Sequence, residues 1–181
     1  MEKHPNVEYI MLSERKIAKR VKELAAQMDK LYGGRRPVVV CILKGSVLFF
    51  TDLIRNMKTP LTIDFMSVSS YGSGTTSGEL KIKQDLATDI TGRDVLIVED
   101  IIDSGNTLYN LKKLLNARSP ASVNIVTLLD KPARREVPME PEYTGFVIED
   151  EFVIGYGLDY AEEYRNLPYV GVLKRSVYEN N

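Results

Sequence analysis

A chain of 181 residues with 44% hydrophobic composition can bury one substantial core, and its length argues for a single domain with an appendage rather than two independent units. Lysine and arginine number 24 against 25 acidic residues, a formal net charge of -1, which excludes the overall basic field that draws a protein to nucleic acid or anionic membrane and makes any phosphate site local. The single cysteine, Cys41, excludes an internal disulfide, and no N-terminal apolar run resembles a signal peptide or membrane span, so a reducing cytoplasm is expected.

In chain order, Ser13 stands where a helix N-cap is needed. Ile17, Val21, Leu24, Met28 and Leu31 follow at three- and four-residue steps until Gly33 and Gly34 end the pattern, which predicts a helix covering one sheet face. Residues 37–43 form a continuous apolar run that suits a buried strand, broken by Lys44-Gly45-Ser46 before a second helical pattern over 47–57. Residues 61–68 follow Pro60 and alternate weakly, predicting a third strand with one exposed edge. From 69 to 78 the chain is Ser, Gly and Thr with one tyrosine, too polar to offset the entropy of ordering it, so a mobile loop is expected. Strand-like residues resume at 79–84, and a central strand follows at 94–98. Leu108, Leu111, Leu114 and Leu115 mark a helix, and 123–129 is another buried strand. Strands alternating with helices imply a parallel sheet with right-handed crossovers. The remainder, rich in Pro, Tyr and Glu, is expected to form smaller strands and loops folded over the sheet's ligand edge.

The run Val95-Leu96-Ile97-Val98-Glu99-Asp100-Ile101-Ile102-Asp103-Ser104-Gly105-Asn106-Thr107 carries the chemistry. Its apolar part is short and β-branched, the pattern of a strand buried on both faces, and open α/β sheets bind ligands beyond the carboxyl ends of such strands. Ser104, Gly105, Asn106 and Thr107 then fall between strand end and helix start, where backbone amides are unpaired and the helix dipole favours an anion. Gly105 lets the backbone approach a phosphate, and two hydroxyls add donors. Glu99 and Asp100 beside such a site repel a phosphorylated ligand unless they take sugar hydroxyls or reach it through a hard cation such as Mg²⁺, so the pair implies sugar and metal. Neighbouring residues of a strand face opposite sides, so a turn is expected at the two acids. Asp103 is left for proton transfer.

Other phosphate devices fit poorly: no G-x-x-x-x-G-K-[ST] occurs, and Gly72, Gly74 and Gly78 space the third glycine one residue too far for a dinucleotide fingerprint. For an isolated Asp-Ser-Gly, a helix capped by Asp103 or Ser104 with solvated acids is the plainer reading, but the full run outweighs it. A receiver domain, which clusters acids around Mg²⁺, would need more strand-helix units after residue 95 than the chain supplies.

These residues resemble the signature of the phosphoribosyltransferase family: a hydrophobic strand, two acids and a short phosphate loop of the Asp-Ser/Thr-Gly-x-Thr type. Leu43-Lys44-Gly45-Ser46, Ser70-Tyr71-Gly72, Leu129-Asp130-Lys131-Pro132, the run from Glu151 to Tyr160 and Tyr164-Arg165-Asn166-Leu167 are similar, in order, to the members that act on 6-oxopurines. The resemblance implies an α/β fold of type I, a parallel twisted sheet flanked by helices with a small hood subdomain. One domain would span 1–181, its core at about 13–130 and its hood built from the N-terminal segment and about 131–181.

The resemblance also implies roles. Glu99 and Asp100 would hold the ribose hydroxyls of 5-phosphoribosyl 1-diphosphate with Mg²⁺ close by, and Ser104, Gly105, Asn106 and Thr107 would cradle its 5-phosphate. Lys44 and Gly45 would meet the departing pyrophosphate through the backbone, Arg165 one of its oxygens, and Asp159 a second Mg²⁺ at the purine side. Lys131 would donate to the 6-oxo group, Phe152 would stack on the ring and Val153 would offer backbone hydrogen bonds. Asp103 becomes the general base near N7, and Ser70 and Tyr71 begin the lid. Each has a plainer alternative: solvated lysines, a core phenylalanine, and an Arg165 paired with Glu162 or Glu163. His4, in an expected frayed terminus, and Cys41, a small hydrophobe in a strand, stay outside the site.

The activity so implied is Mg²⁺-dependent transfer of phosphoribosyl to N9 of hypoxanthine or guanine, with xanthine a further candidate, giving IMP or GMP and pyrophosphate in purine salvage. A homodimer or homotetramer is expected, with no nucleic-acid or membrane partner. The rivals are a regulator that binds the activated sugar without reacting it, and a transferase for uracil, xanthine or orotate.

Overall fold

The computed structural model describes residues 2–70 and 80–179; Tyr71 and the rest of the expected lid lie outside them, as does any account of the Ser70 side chain. Strand β1 (Val7–Leu12) leads into helix α1 (Glu14–Tyr32), whose first turn is capped as the sequence predicts, the Ser13 hydroxyl accepting from the Lys16 amide. Then follow β2 (Val38–Leu43), α2 (Val47–Asn56), β3 (Thr62–Ser70), β4 (Leu80–Gln84), β5 (Asp94–Ile102), α3 (Asn106–Asn116), β6 (Ser122–Asp130), β7 (Tyr143–Val147), β8 (Val153–Ile154), β9 (Val170–Leu173) and a short α4 (Arg175–Tyr178).

The continuous apolar runs become the centre of a six-stranded sheet of order β4-β3-β2-β5-β6-β7. Its strands are parallel except β4, which runs antiparallel to β3. Alternate side chains feed two cores. Val39, Cys41, Leu96, Val98, Val126 and Leu128 pack with α1 and α2 on one face. Val38, Val40, Ile42, Val95, Ile97 and Ile125 pack with Leu108, Leu111 and Leu115 of α3 on the other. A strand buried on both faces therefore tolerates charge only near its end, and truncating fully buried Leu111 to alanine is expected to cost about 2–5 kcal/mol.

Three expectations are corrected. β3 is not an edge strand: the chain returns after it and pairs as β4, which takes the edge. No turn follows Val98, because the long β6 supplies partners to Glu99, Ile101 and Ile102 and carries β5 past the acids. His4 is not frayed, since its amide donates to the Tyr169 hydroxyl (2.8 Å) and its ring meets Tyr164 edge-on. The large sheet also continues beyond residue 130 through β7, which pairs with β6.

A second, antiparallel sheet of order β1-β9-β8 has its own small core of Val7, Ile154, Tyr169 and Leu173. Two contacts seat it above the carboxyl ends of the large sheet. The Tyr156 hydroxyl donates to Asp52 of α2 at 2.6 Å. Gly157 has φ +103° and lies so near the 44–45 loop that a Cβ there would stand 1.9 Å from the Gly45 carbonyl oxygen, so only glycine permits the approach.

Candidate active site

Two cavities open at the carboxyl ends of β2, β5 and β6 and share Asp100, Ile101, Asp103 and Asp159 as a common wall. One, of about 340 Å³, is lined by Lys44, Gly45, Glu99, Ser104, Gly105, Thr107 and Arg165 among others. The other, of about 530 Å³, is lined by Lys131, Arg134, Asp150, Phe152, Val153 and Tyr178. Nearly every residue singled out from the sequence thus meets at one cleft. The exception among the described residues is Asn106, which lines neither cavity; the expected lid, at the Ser70 side chain and Tyr71, falls outside what the structure describes.

In the first cavity the cap on α3 is weak. The Ser104 hydroxyl accepts from the Asn106 amide only at 3.4 Å, and the residue preceding α3 is Gly105, left-handed at φ 83° and without a side chain to cap the helix. Its amino end therefore faces the cleft with the positive end of the helix dipole. Asn106 turns its side chain aside, donating to Glu136 at 2.6 Å and to Ser104 Oγ at 3.3 Å.

Glu99 and Asp100 sit together under this loop. Burial pushes the Glu99 carboxyl well above the ordinary carboxylate range, and the neighbouring Asp100 charge pushes it further. Asp100 is raised chiefly by burial, against hydrogen bonds from Glu99 and the Ile101 amide and the positive charge of Arg165. The 44–45 loop presses on the pair: a Cβ on Gly45 would fall 1.7 Å from Asp100 Oδ2. The Leu43–Lys44 peptide is cis. The Lys44 ammonium reaches the exposed Glu162 at 3.0 Å, while Lys44 and Gly45 both contribute to the cavity wall.

Arg165 pairs with Asp159 at 2.9 Å and more distantly with Glu162 at 3.4 Å, and donates to the Gly157 carbonyl at 2.8 Å. The ion pair with Glu162 read from sequence is therefore present but secondary. Arg165 Nε is buried without a hydrogen-bond partner among the described residues, while the residue itself lines the cavity. Among the described residues no three His, Cys, Asp or Glu side chains group to hold a metal, so Glu99, Asp100 and Asp159 do not form a protein cage. Buried Glu99 and half-buried Asp100 nonetheless offer oxygen donors that fit a hard cation completed by a ligand's oxygens.

The second cavity inverts the usual exposure of its residues. Lys131 is 7% exposed and Phe152 is 39% exposed, the reverse of a solvated lysine and a core aromatic. Lys131 lies after β6 with its amide bonded to the Ile102 carbonyl, and its ammonium is 3.7 Å from Asp150. Phe152 stacks on Tyr178 at 5.0 Å and meets Tyr160 edge-on. Val153 begins β8 and lines the cavity. Asp103 is half-exposed and pairs with Arg134 at 2.8 Å, and Arg134 also reaches Asp150 at 3.5 Å.

Arg134, Asp150 and Tyr178 escaped the sequence reading because each owes its place to tertiary approach rather than to a motif. A usable signal was the density of charge around Phe152, with Arg134 and Arg135 before it and Asp150 and Glu151 beside it.

A family model of the phosphoribosyl transferase domain matches residues 10–161. The chain is similar to the hypoxanthine-guanine phosphoribosyltransferase of Bacillus subtilis (strain 168), 52% identical over 181 residues covering 99% of this chain and 100% of that one. It is also similar to the bifunctional protein TilS/HprT of Listeria innocua, 53% identical over 176 residues; that match covers 97% of this chain, which spans only 27% of the length of that relative. A solved hypoxanthine phosphoribosyltransferase from Staphylococcus aureus superposes with a TM-score of 0.94 at 52% identity, covering 97% of this chain and 96% of that one. The parallel twisted sheet flanked by helices is the type I fold of these enzymes.

Proposed function

This chain belongs to the phosphoribosyltransferase family, and from that premise we propose that it moves the phosphoribosyl group of 5-phosphoribosyl 1-diphosphate onto N9 of hypoxanthine or guanine, as in purine salvage. The observation that carries this reading is the shared wall: a cavity with phosphate-loop chemistry and a cavity with base-reading chemistry meet at Asp100, Asp103 and Asp159.

In this mechanism the sugar phosphate rests on the amino end of α3 while Glu99 and Asp100 accept its ribose hydroxyls. The same two carboxylates would hold Mg²⁺, which would supply positive charge at the leaving group. As the C1–diphosphate bond lengthens, the sugar becomes cation-like and negative charge collects on the diphosphate, near the Arg165 guanidinium and the Lys44-Gly45 backbone. In the neighbouring cavity the buried Lys131 donates to the 6-oxo group, the open surface of Phe152 takes the ring, and the backbone at Val153 meets the opposite edge. Asp103 accepts the N7 proton as N9 attacks. For this, the purine must displace Arg134 from the Asp103 carboxylate.

We read the chain as one domain with the β1-β9-β8 sheet as its hood, acting in the cytoplasm as a homodimer or homotetramer. The buried free thiol of Cys41 suits a reducing compartment. The test mixes the protein with the activated sugar, Mg²⁺ and one base at a time, and follows pyrophosphate. Release with hypoxanthine or guanine is expected. Release only with adenine, uracil or orotate would reassign the substrate, and binding of the sugar without release would make the protein a sensor.

A further inference from the structure

An anion cradle made of backbone amides works only if the intervening carbonyl oxygens point elsewhere, because each one turned toward a phosphate repels it. In the 103–107 loop every such carbonyl from 103 to 106 has a partner. The last two are served by α3 itself: the Gly105 oxygen accepts from the Tyr109 amide at 2.9 Å and the Asn106 oxygen from Asn110 Nδ2 at 3.0 Å. The first two cannot be reached from the helix. The Ser104 oxygen accepts from the Glu136 amide at 2.9 Å, and the Asp103 oxygen from Arg135 Nη1 at 2.6 Å.

We propose that Arg135 is a positioning residue, which ties the carbonyl of Asp103 to the Asp130 carboxylate and so holds the loop in the form that receives the 5-phosphate. The inference rests on the transferase reading of the same cleft. Arg135 Nη2 bonds Asp130 Oδ1, and the two side chains are only 14% and 10% exposed. Asp130 ends β6, so the tether runs from the loop to the rigid sheet. A guanidinium serves two acceptors in different directions with one fixed fork, which an ammonium does less well. Its stem matters too: a Cβ on Gly105 would stand 2.9 Å from Arg135 Cδ and 3.2 Å from Val137 Cγ2. The arginine therefore packs directly against the back of the loop, where the positive φ already favours glycine. Arg135 lines a separate cavity of about 580 Å³ with Asp130, Pro138 and Met139 and not the cleft, so it acts from behind the site without touching substrate.

Two measurements on the full chain test this. Calorimetric titration with ribose 5-phosphate reads the cradle without any transfer step, and steady-state kinetics with hypoxanthine separate the two substrates. Arg135→Leu should weaken ribose 5-phosphate and raise KM for the activated sugar by roughly 10- to 100-fold, the loss of one charge-assisted bond, with KM for hypoxanthine within about threefold. Arg135→Lys should fall between, and added guanidinium should restore part of the Leu variant's affinity. Asp130→Asn, which keeps the shape and frees the fork, should weaken ribose 5-phosphate by a smaller factor and carries the test if the Leu variant does not fold. Unchanged ribose 5-phosphate affinity in a folded Leu variant, or an equal rise in both KM values, overturns the proposal. A native protein that binds ribose 5-phosphate yet transfers to no base overturns the transferase reading alone.

Discussion

In the half of the cleft under the 103–107 loop two carboxylates crowd each other, whereas in the half around Phe152 opposite charges and aromatic rings already hold one another. The first half has buried Glu99 beside half-buried Asp100, a helix end capped only by a 3.4 Å Ser104 contact, and an Arg165 Nε without a hydrogen-bond partner among the described residues. The second has Arg134 on Asp103, Lys131 near Asp150, and Phe152 on Tyr178. At 5.0 Å the stacked rings leave no room for a third between them, so a purine takes the other face of Phe152 or displaces Tyr178. Binding in one half relieves unsatisfied charge; binding in the other exchanges one set of contacts for another. Affinity for the activated sugar should therefore be sensitive to the fixed backbone, and affinity for the base to individual side chains.

The sharpest break falls at the shared wall. Asp103→Asn should lower turnover by roughly 10² to 10⁴ with KM for the activated sugar nearly unchanged; an unaltered rate removes Asp103 as proton acceptor. Within the base half, Lys131→Met should cost roughly 10²-fold in kcat/KM for 6-oxopurines, since it leaves a buried acceptor unpaired, and should raise the relative use of adenine. Constant base preference would show that Lys131 does not read the oxo group. Phe152→Ala should raise the base KM by about 10-fold through lost stacking, and a matching rise in the sugar KM would erase the distinction between halves.

The smallest effect has the opposite sign. Because burial raises the Glu99 carboxyl in the folded state above its unfolded value, its ionisation disfavours folding, a cost absent at low pH that grows as pH rises through the folded value. Glu99→Gln should therefore raise the Tm of the metal-free protein by a few degrees at about pH 8 and by almost nothing at about pH 4. Melts in which the variant is less stable at both would contradict the unrelieved state of this half.

The layout of the half under the 103–107 loop was legible in the sequence because it is contiguous: strand, acids, loop and helix start follow one another between Asp94 and Asn116. The turn expected at Glu99 is absent because strand length is decided by the partner, and β6 is long, and Asn106 lines neither cavity because Glu136 and Ser104 draw its side chain aside. The base half could not be assembled from periodicity. Lys131, Phe152 and Val153 came from resemblance. Arg134, Arg135 and Tyr178 become visible only when segments far apart in sequence approach, as in Arg135 with Asp103 (32 residues apart). The same holds for β4, whose place at the edge depends on the direction in which the chain returns after β3.

The most direct measurement is a crystal structure with the activated sugar, Mg²⁺ and a purine analogue carrying carbon in place of N9, which cannot accept the transfer. The 5-phosphate is expected on the amides of 104–107, the ribose hydroxyls on Glu99 and Asp100, the ring on Phe152 with its oxo group at Lys131, and Arg134 withdrawn from Asp103. A phosphate bound elsewhere, with Glu99 and Asp100 facing no sugar and Arg134 still on Asp103, would contradict the proposed mechanism.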